Sequence, residues 1–436
     1  MIKITLIRDD IVIIRPIKTV KGELVAPPDK SISHRAAILS AIANGRTEIS
    51  NFLFSDDTFS TITALKKLGV NIDIDQKSSS LFVEGRGLNG LRATDKIDCG
   101  NSGTTMRLLA GLLSGQRFFS YLYGDESLNK RPMARIQIPL NMMGAKIKLS
   151  EGHAPIIIEP SKLIPIKYSM NIASAQVKSA ILLASLYTFG ITEIEELYPT
   201  RNHTEIMLKH FNCDIVSRDN VVTINNPNTL LANDVYIPGD ISSAAYFIAL
   251  ALITENSKLI IRNVGINNSR IHIIRLWQKM GGNIRIFNKR IVNGEDIADI
   301  EVKSSELTGI VINKEDVSLC IDEIPILAVT AAFANGETII TGAEELKVKE
   351  SDRLFYIYWN LKNMKADVKL DNNTIYINGN NNLIGCKIDT ANDHRIAMAF
   401  TVAGLKAFGQ TNILNHQCVE VSYPRFYEDL NKIIEY

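Results

Sequence analysis

The chain has 436 residues and a formal net charge of +1, from 48 Lys and Arg against 47 Asp and Glu. This balance disfavours a protein whose main surface binds nucleic acid or another polyanion. The hydrophobic fraction of 46% and the charged fraction of 22% are ordinary for a globular protein, and the length allows roughly two or three domains.

The longest apolar runs, residues 244–253 and 324–334, are much shorter than the roughly 20 residues of a membrane helix. We therefore expect no membrane span. Because the first residues mix charged and apolar side chains without a signal-peptide core, a cytoplasmic location is the default expectation. The five cysteines are an odd number and the closest two are 32 residues apart, so neither a disulfide framework nor a zinc ribbon is expected.

Two patterns recur along the chain. In the first, an apolar helical stretch ends at a small residue and two alternating strands follow, a pattern typical of a hairpin. In the second, a strand leads through small polar residues into an Ala- and Leu-rich helix. The hairpins begin at Leu68, Met143, Phe211, Met280 and Met364, and the strand-turn-helix elements begin near residues 28, 98, 171, 238, 320 and 389. The sequence therefore predicts six repeated units.

The sequence shows six strand-turn-helix elements and five internal hairpins. The sixth unit therefore needs a hairpin from elsewhere in the chain. We expect residues 2–6 and 11–15 to form it and to pair with the last repeat, which places both termini in one domain. That domain is predicted to comprise residues 1–21 and 239–436, and the other residues 22–238. A junction crossed twice by the chain is a usual place for a ligand cleft, so we expect the active site there.

The six turns share a chemical property. Each opens a helix with Ser, Thr, Asn, Asp or Gly, which cap helices and leave backbone N–H groups at the positive end of the helix dipole. If several of these helix starts face one cleft, that cleft favours anions. Any single turn can equally be a plain structural cap.

Charged side chains make the anion-site interpretation stronger. Lys30 lies at the entrance of the first predicted helix and Arg35 about one turn later, and two cations at this end are unfavourable unless an anion is bound. The second turn, residues 98–107, has glycines that let the backbone approach a phosphate, although it lacks the spacing of a Walker loop.

Further polar groups follow at the other predicted turns. Each of them alone is equally consistent with a solvated charged face or a surface ion pair. Together they predict a cleft lined by Arg and Lys with three acids. They are residues 124–133, 174–176, 200–203, Asp322, 347–353 and 392–395.

These groups, in this order and spacing, closely resemble the 5-enolpyruvylshikimate-3-phosphate synthase family, also called 3-phosphoshikimate 1-carboxyvinyltransferases. The resemblance covers essentially the whole chain. It implies an α/β (α+β) fold, a two-domain inside-out α/β barrel with three βαβαββ units in each domain, which agrees with the six repeats. The segments that carry the resemblance are residues 30–35, 100–107, 131–133, 174–176, 322, 349–353 and 392–395.

The resemblance implies an enzyme that transfers the enolpyruvyl group of phosphoenolpyruvate to the 5-hydroxyl of shikimate 3-phosphate. Phosphate is released, and the reaction belongs to the shikimate pathway of aromatic amino acid biosynthesis. No metal or organic cofactor is implied, and we expect a monomer without nucleic-acid or membrane partners. The chemistry requires an acid, a base and several cations.

The resemblance also implies roles for particular residues. Asp322 is expected beside the attacking hydroxyl, with Lys30 and Glu350 as candidates for moving protons near phosphoenolpyruvate; which of the three moves which proton stays open. The set for shikimate 3-phosphate is Lys30, Ser31, Arg35, Ser174, Ala175, Gln176, Arg201, Asp322 and Lys349. The set for phosphoenolpyruvate is Lys30, Asn101, Gly103, Arg131, Gln176, Arg353, His394 and Arg395.

Three positions bear on how closely the chain follows the family pattern. Val421 stands where some members have a Lys, so the phosphate clamp is expected to be weaker or differently built. His34 stands where members often have Asn. Gly103 matches the form associated with glyphosate binding, which predicts inhibition competitive with phosphoenolpyruvate.

Two alternatives remain. One is the enolpyruvyl transferase of the same fold that acts on UDP-N-acetylglucosamine, but that enzyme typically has a Cys in the loop equivalent to residues 124–131, where this chain has none. The other is a non-catalytic ligand-binding protein on the same scaffold, since fold does not fix function. The presence of Lys30, Asp322 and Glu350 argues against it.

Overall fold

The structure is a computed structural model that describes the backbone of residues 5–8 and, in full, residues 10–226, 228–380 and 382–436. Part of the expected amino-terminal strand, residues 2–4, lies outside this description. Within the described residues, no helix is both long and apolar enough to cross a membrane.

Helices and strands alternate along the chain. The helices are α1 (Lys30–Ala41), α2 (Asp56–Lys67), α3 (Gly103–Ser114), α4 (Glu126–Asn129), α5 (Ala134–Met142), α6 (Ala175–Ser185), α7 (His203–His210), α8 (Ile241–Ile253), α9 (His272–Lys279), α10 (Lys314–Leu319), α11 (Ile324–Ala332), α12 (Arg353–Asn363), α13 (His394–Lys406) and α14 (Phe426–Ile433). Short 3₁₀ helices cover Ile321–Glu323, Glu344–Val348 and His416–Val421.

The strands are β1 (Thr5–Arg8), β2 (Ile11–Ile14), β3 (Thr19–Val25), β4 (Asn44–Ser50), β5 (Asn71–Asp75), β6 (Ser80–Arg86), β7 (Ile97–Asp98), β8 (Ser120–Tyr123), β9 (Lys146–Ser150), β10 (His153–Glu159), β11 (Lys167–Met170), β12 (Ile191–Glu196), β13 (Ile215–Arg218), β14 (Val221–Asn225), β15 (Val235–Tyr236), β16 (Lys258–Gly265), β17 (Asn283–Val292), β18 (Glu295–Lys303), β19 (Val311–Ile312), β20 (Gly336–Ile340), β21 (Asp367–Asp371), β22 (Thr374–Gly379), β23 (Lys387–Ile388), β24 (Thr411–Leu414) and β25 (Ile434–Glu435).

The chain forms two compact units. Unit 1 comprises Met1–Pro27, Gly239–Arg290 and Asp296–Tyr436, and unit 2 comprises Pro28–Pro238 and Ile291–Glu295. Each unit has a hydrophobic core of its own. Unit 1 holds the sheets β1-β2-β24-β23, β17-β18-β16-β3-β25 and β19-β20-β22-β21; unit 2 holds β7-β8-β10-β9, β11-β12-β14-β13 and β15-β4-β6-β5.

All six sheets share one order of strand pairing, and the sheet β7-β8-β10-β9 shows it within one continuous stretch of chain. β7 and β8 are parallel and joined through α3, whereas β10 is antiparallel to both β8 and β9. The chain order is therefore strand, helix, strand, helix, strand, strand. This confirms the six βαβαββ repeats predicted from the sequence.

The amino-terminal hairpin completes the last repeat. β1 pairs antiparallel with β2, and β2 pairs antiparallel with β24, with Ile11 opposite Leu414. The predicted pairing of the two amino-terminal runs with the last repeat is confirmed for the described residues.

The predicted domain boundary after residue 21 differs from the structure. β3 is one continuous strand that pairs in parallel with β16, with Lys21 opposite Lys258 and Val25 opposite Arg262. Since this pairing fixes all of β3 in unit 1, the units divide at Pro27 and Pro28. In the same way, β15 pairs with β4 in unit 2, while the helix that follows it, α8, belongs to unit 1.

The chain passes between the units twice more, at a segment that has no signal in the sequence. Residues Ile291–Glu295 form the tip of the β17–β18 hairpin and belong to unit 2. Within that unit, the backbone N–H of Tyr236 donates to Asn293 Oδ1 at 2.8 Å. His203 Nδ1 lies 2.7 Å from Glu295 Oε1, and both side chains are buried.

The helices that follow the first strand of each repeat are the most buried, and their starts carry the expected caps. α8 is apolar except for two serines and is buried along its whole length, as expected for a helix surrounded by protein. Side-chain oxygens accept a backbone N–H at the start of five of the six helices, which satisfies one of the exposed donors there. These caps are Asp29, Ser102, Ser174, Asp240 and Asp393.

Candidate active site

The first group of predicted residues lies at the start of α1 in unit 2. Lys30 is the first residue of α1, and its Nζ lies 2.9 Å from Asp57 Oδ2 on α2. Both side chains are at least four-fifths buried. The lysine charge is therefore partly balanced within the protein, which differs from the uncompensated cation expected from the sequence.

Arg35 joins three helices of unit 2. It is 4% exposed, and its guanidinium donates to Thr204 Oγ1 at 2.7 Å, Ser179 Oγ at 2.9 Å and the Ser31 carbonyl at 2.9 Å. These bonds hold α1 against α6 and α7. The observed contacts assign Arg35 a structural role, and its predicted contact with shikimate 3-phosphate stays a prediction.

His34 is buried and links the first turn of α1 to the start of α3. Its Nδ1 lies 2.7 Å from Thr61 Oγ1, which lies 2.6 Å from Thr105 Oγ1; this hydroxyl in turn donates to Ser102 Oγ at 2.8 Å. Burial lowers the pKa of His34 well below its usual range, and the neighbouring Lys30 and Arg35 lower it further. His34 is therefore neutral at physiological pH.

Gly103 begins α3 beside a guanidinium. A methyl group built on Gly103 would lie 2.9 Å from Arg107 Nη1, and Arg107 Nη1 donates to Gln176 Oε1 at 2.6 Å. Gln176 donates from Nε2 to Thr104 Oγ1 at 3.0 Å. The absence of a side chain at Gly103 thus leaves room for this network between α3 and α6.

Arg131 lies near the same helix start. It is 7% exposed, and its Nη2 donates to Asn101 Oδ1 at 2.6 Å, while Asn101 donates to Asp125 Oδ2 at 2.7 Å. A methyl on Gly103 would lie 3.5 Å from Arg131 Nη1. The structure therefore brings Asn101, Gly103 and Arg131 together; their binding of phosphoenolpyruvate stays a prediction.

The remaining predicted residues of unit 2 lie at other helix starts. Ser174 caps α6, where its Oγ accepts from the Val177 N–H, and Ala175 and Gln176 follow as the first residues of that helix. Arg201 lies in the loop between β12 and α7.

Unit 1 carries the second group, arranged around Arg353. This side chain is 1% exposed. Its guanidinium contacts Asp393 Oδ2 at 2.8 Å, Glu350 Oε2 at 2.6 Å and Asp322 Oδ1 at 3.3 Å. Burial acts to lower the pKa of Arg353, but the carboxylates of Asp393 and Glu350 outweigh it and raise the pKa. One permanently charged group therefore orients two of the three predicted catalytic residues.

Arg395 contacts Asp322 from α13. Its Nη1 donates to the Asp322 carbonyl at 2.9 Å, and its Nη2 lies 3.7 Å from Asp322 Oδ2. Glu323 is buried, and its Oε1 lies 3.6 Å from Arg395 Nη1 and accepts from Ser242. Asp322 is thus placed beside two Arg side chains, Arg353 and Arg395.

Lys349 and His394 complete the predicted residues of unit 1. Lys349 is half-buried; desolvation lowers the pKa of its ammonium, Arg353 acts in the same direction, and Asp322 opposes them. His394 is the first residue of α13 and is buried. Val421 ends a 3₁₀ helix, and the following cation, Arg425, is two-thirds exposed and pairs with Glu428 and Asp429.

Several residues of these networks received no role from the sequence, although Arg107 and Asp393 lie in the segments 98–107 and 392–395 that it singled out. Asp57, Glu323 and Asp393 each lie at or just before a helix start. In a sequence, an acidic residue at such a position indicates a helix cap or a favourable interaction with the helix dipole. The sequence does indicate that Arg107 lies near Gly103, because it follows Gly103 by four residues and is therefore on the same face of the helix. Among the described residues, no three His, Cys, Asp or Glu side chains are grouped to hold a metal ion.

Known proteins resemble the chain over nearly its whole length. The profile of the family described as EPSP synthase (3-phosphoshikimate 1-carboxyvinyltransferase) matches residues 14–430. The chain is 48% identical to the 3-phosphoshikimate 1-carboxyvinyltransferase of Thermoanaerobacter sp. (strain X514) over 414 residues, covering 95% of this chain and 97% of that protein. It is 45% identical to the enzyme of the same description from Thermodesulfovibrio yellowstonii over 426 residues, 97% of this chain and 99% of that protein.

Solved structures of enolpyruvyl transferases also resemble the chain. The EPSP synthase of Acinetobacter baumannii matches with a TM-score of 0.86 and 41% identity over 97% of this chain and 98% of that one. The enolpyruvyl transferase NikO of Streptomyces tendae matches with a TM-score of 0.78 over 97% of both chains, but at 16% identity, and so supports the fold alone. The matches favour transfer to shikimate 3-phosphate over transfer to a sugar nucleotide. The chain is an enolpyruvyl transferase of the shikimate pathway and belongs to the EPSP synthase family.

Proposed function

We propose that the chain joins phosphoenolpyruvate to shikimate 3-phosphate with residues from both units. Lys30 belongs to unit 2, whereas Asp322 and Glu350 belong to unit 1. Both substrates are small and multiply anionic, and the transfer needs proton donors and acceptors beside cations. Neither unit holds all three proposed catalytic residues, so the reaction requires both.

The reaction sets the requirements for these residues. The 5-hydroxyl oxygen forms a bond to C2 of phosphoenolpyruvate and loses its proton, while C3 gains a proton to become a methyl group. The tetrahedral intermediate then loses phosphate by breaking the C2–O bond, and the methyl group returns a proton to restore the double bond. Asp322 is proposed beside the hydroxyl, with Lys30 and Glu350 as proton carriers for C3 and the phosphate.

The observation that carries the proposal is the arrangement around Arg353. Its buried guanidinium binds Asp322 and Glu350 at 3.3 and 2.6 Å, so that both carboxylates are oriented before a substrate arrives. Preorganised charged groups of this kind are the main source of stabilisation for charge that develops in a transition state. Arg395 adds a second guanidinium next to Asp322.

Unit 2 supplies the other cations for the anionic substrates. Arg131 is held by Asn101 at 2.6 Å and Arg107 by Gln176 at 2.6 Å, both near the first turn of α3. A guanidinium fixed in this way matches a carboxylate or phosphate in a bidentate geometry. We propose this region as the phosphoenolpyruvate-binding part of unit 2.

The first experiment measures phosphate release from phosphoenolpyruvate with two acceptors in separate reactions. We expect release with shikimate 3-phosphate and none above background with UDP-N-acetylglucosamine. Release with the sugar nucleotide alone would overturn the proposal.

Isosteric variants test the catalytic residues. We expect Lys30→Met, Asp322→Asn and Glu350→Gln each to lower kcat by about 10²–10⁴-fold, since each removes a charge or a proton carrier. Lys148→Met is the control, because Lys148 is 68% exposed, pairs with Glu159 and lies outside all predicted site segments; its kcat should stay within about twofold, as expected for a surface ion pair. Wild-type turnover in any of the three variants removes that residue from the mechanism.

The monomeric state and the cytoplasmic location stay predictions. Sedimentation velocity of the purified protein and fractionation of cells that express it test them directly.

A further inference from the structure

A buried group of charges lies in unit 2 next to two of the segments proposed to bind shikimate 3-phosphate, residues 174–176 and Arg201. Lys178 is 1% exposed; its Nζ lies 2.9 Å from Glu196 Oε2 and 2.6 Å from Glu205 Oε1, and both carboxylates are also buried. We call Lys178, Glu196 and Glu205 the Lys178 cluster. Burial of three charges is costly and contributes little to stability compared with apolar packing, so the contacts of the cluster with the rest of the unit are informative.

The cluster holds the loop between β12 and α7. Glu196 ends β12, and its Oε1 accepts from the backbone N–H of Thr200 at 3.0 Å and from Thr200 Oγ1 at 2.5 Å. Lys178 Nζ reaches the Thr200 carbonyl at 3.5 Å. The backbone N–H, the carbonyl and the hydroxyl of Thr200 are therefore all fixed by buried charged groups.

The residue held in this way precedes Arg201, and Lys178 connects it to a second predicted substrate segment. Lys178 lies on α6 one turn after Ser174, whose carbonyl accepts from the Lys178 N–H at 3.1 Å. The loop itself is without regular secondary structure and reaches the surface, since Leu197 is 58% exposed. A loop of this kind loses orientation when its polar anchors are removed.

We propose that Thr200, Glu196 and Lys178 are positioning residues for Arg201 and set its orientation toward shikimate 3-phosphate. The proposal rests on the proposed function, in which Arg201 contacts that substrate. Fixing a binding side chain before the ligand arrives removes an ordering cost from binding. Loss of the anchor should therefore weaken binding of shikimate 3-phosphate and leave the chemical step unchanged.

Three variants separate this role from general stabilisation of the unit. Thr200→Val keeps the shape of the side chain and removes its hydroxyl; Thr200→Ser retains the hydroxyl. Glu205→Gln alters the same cluster at a carboxylate that binds Lys178 and not Thr200. For each, the Kd for shikimate 3-phosphate is measured by calorimetry, and kcat and the KM for phosphoenolpyruvate by phosphate release.

We expect Thr200→Val to raise the Kd for shikimate 3-phosphate about tenfold, with kcat and the KM for phosphoenolpyruvate within twofold of wild type. Thr200→Ser and Glu205→Gln should stay within twofold in all three quantities. An unchanged Kd in Thr200→Val overturns the positioning role, and so does an equal rise in Glu205→Gln. Wild-type protein that neither binds nor turns over shikimate 3-phosphate overturns the proposed function together with this inference, and that outcome is distinct from a variant-specific result.

Discussion

A single methyl group at Gly103 should weaken phosphoenolpyruvate binding by displacing Arg107. The methyl of Gly103→Ala would lie 2.9 Å from Arg107 Nη1, about 0.5 Å closer than ordinary van der Waals contact. Arg107 is the flexible partner of this contact and must move. It then loses its 2.6 Å hydrogen bond to Gln176, which lies in the proposed phosphoenolpyruvate set.

The size of the effect follows from the bond that is lost. A hydrogen bond from a charged group contributes about 1.5–3 kcal/mol, which corresponds to about a 10- to 150-fold change in affinity. We expect the KM for phosphoenolpyruvate to rise within this range. The backbone at Gly103 lies outside the left-handed region, so Ala adds no backbone strain there, and the entropy gain of about 0.4–1 kcal/mol offsets part of the stability lost with the Arg107 hydrogen bond.

The assay combines initial rates at varied phosphoenolpyruvate with thermal unfolding. Gly111→Ala is the comparison on the same helix, because its methyl would lie 2.2 Å from the Ala180 carbonyl oxygen in a buried helix contact. We expect a larger fall in Tm for Gly111→Ala than for Gly103→Ala, because the first methyl meets rigid backbone and the second a side chain that can move. A KM within threefold of wild type in Gly103→Ala would refute the link between the methyl, Arg107 and substrate binding.

Three further predictions concern ionised groups. Because burial lowers the pKa of Lys349, activity should begin to fall at a pH below that at which an ordinary lysine deprotonates. In a pH–rate profile, Lys349→Arg, which is always charged, should shift this alkaline fall to higher pH. An unshifted alkaline fall contradicts the prediction. His34 stays neutral when folded but binds a proton when unfolded below about pH 6.5, so stability should fall with falling pH by up to about 1.4 kcal/mol per unit. Urea unfolding at several values between about pH 7 and 5 should show that the free energy of unfolding falls less steeply with falling pH in His34→Asn than in wild type. Equal pH dependences contradict the prediction. Lys178→Met should lower the free energy of unfolding by about 3–5 kcal/mol. Lys148→Met, which breaks an exposed ion pair of 2.6 Å, should lower it by at most about 1 kcal/mol. Similar decreases for the two variants in urea unfolding would mean that burial is not the deciding factor.

Local patterns predicted the repeats because each repeat is made of neighbouring segments. The hairpins and the helix starts depend on alternation and on capping residues, which are readable over about ten residues. The positions of β3 and β15 could not be predicted in this way. β3 pairs in unit 1 although the next helix along the chain lies in unit 2, and β15 pairs in unit 2 although the next helix lies in unit 1. β15 has two residues and pairs with β4, with Val235 opposite Ile49, a contact between distant segments that no local pattern encodes.

The candidate site was predictable where charge stood out from its surroundings. Arg131 and Arg353 follow recognisable turns, and the structure gives both of them ordered partners. Asp393 lies in the segment 392–395 that the sequence singled out but received no role, because it serves as a helix cap and also binds Arg353, and sequence alone indicates only the first use. The charge of Arg35 suggested a ligand, and the structure shows hydrogen bonds from its guanidinium to three groups of the protein; its contact with shikimate 3-phosphate stays a prediction.

The tip of the β17–β18 hairpin limits how the protein can be divided. A polypeptide of residues 28–238 would contain every strand of the three unit 2 sheets, yet it would omit the carboxylate that His203 contacts and the amide oxygen that accepts from Tyr236. Complementation by a peptide spanning residues 291–295 would restore those two contacts. A bisected enzyme assembled from separately produced fragments therefore has to accommodate four breaks in chain continuity instead of two.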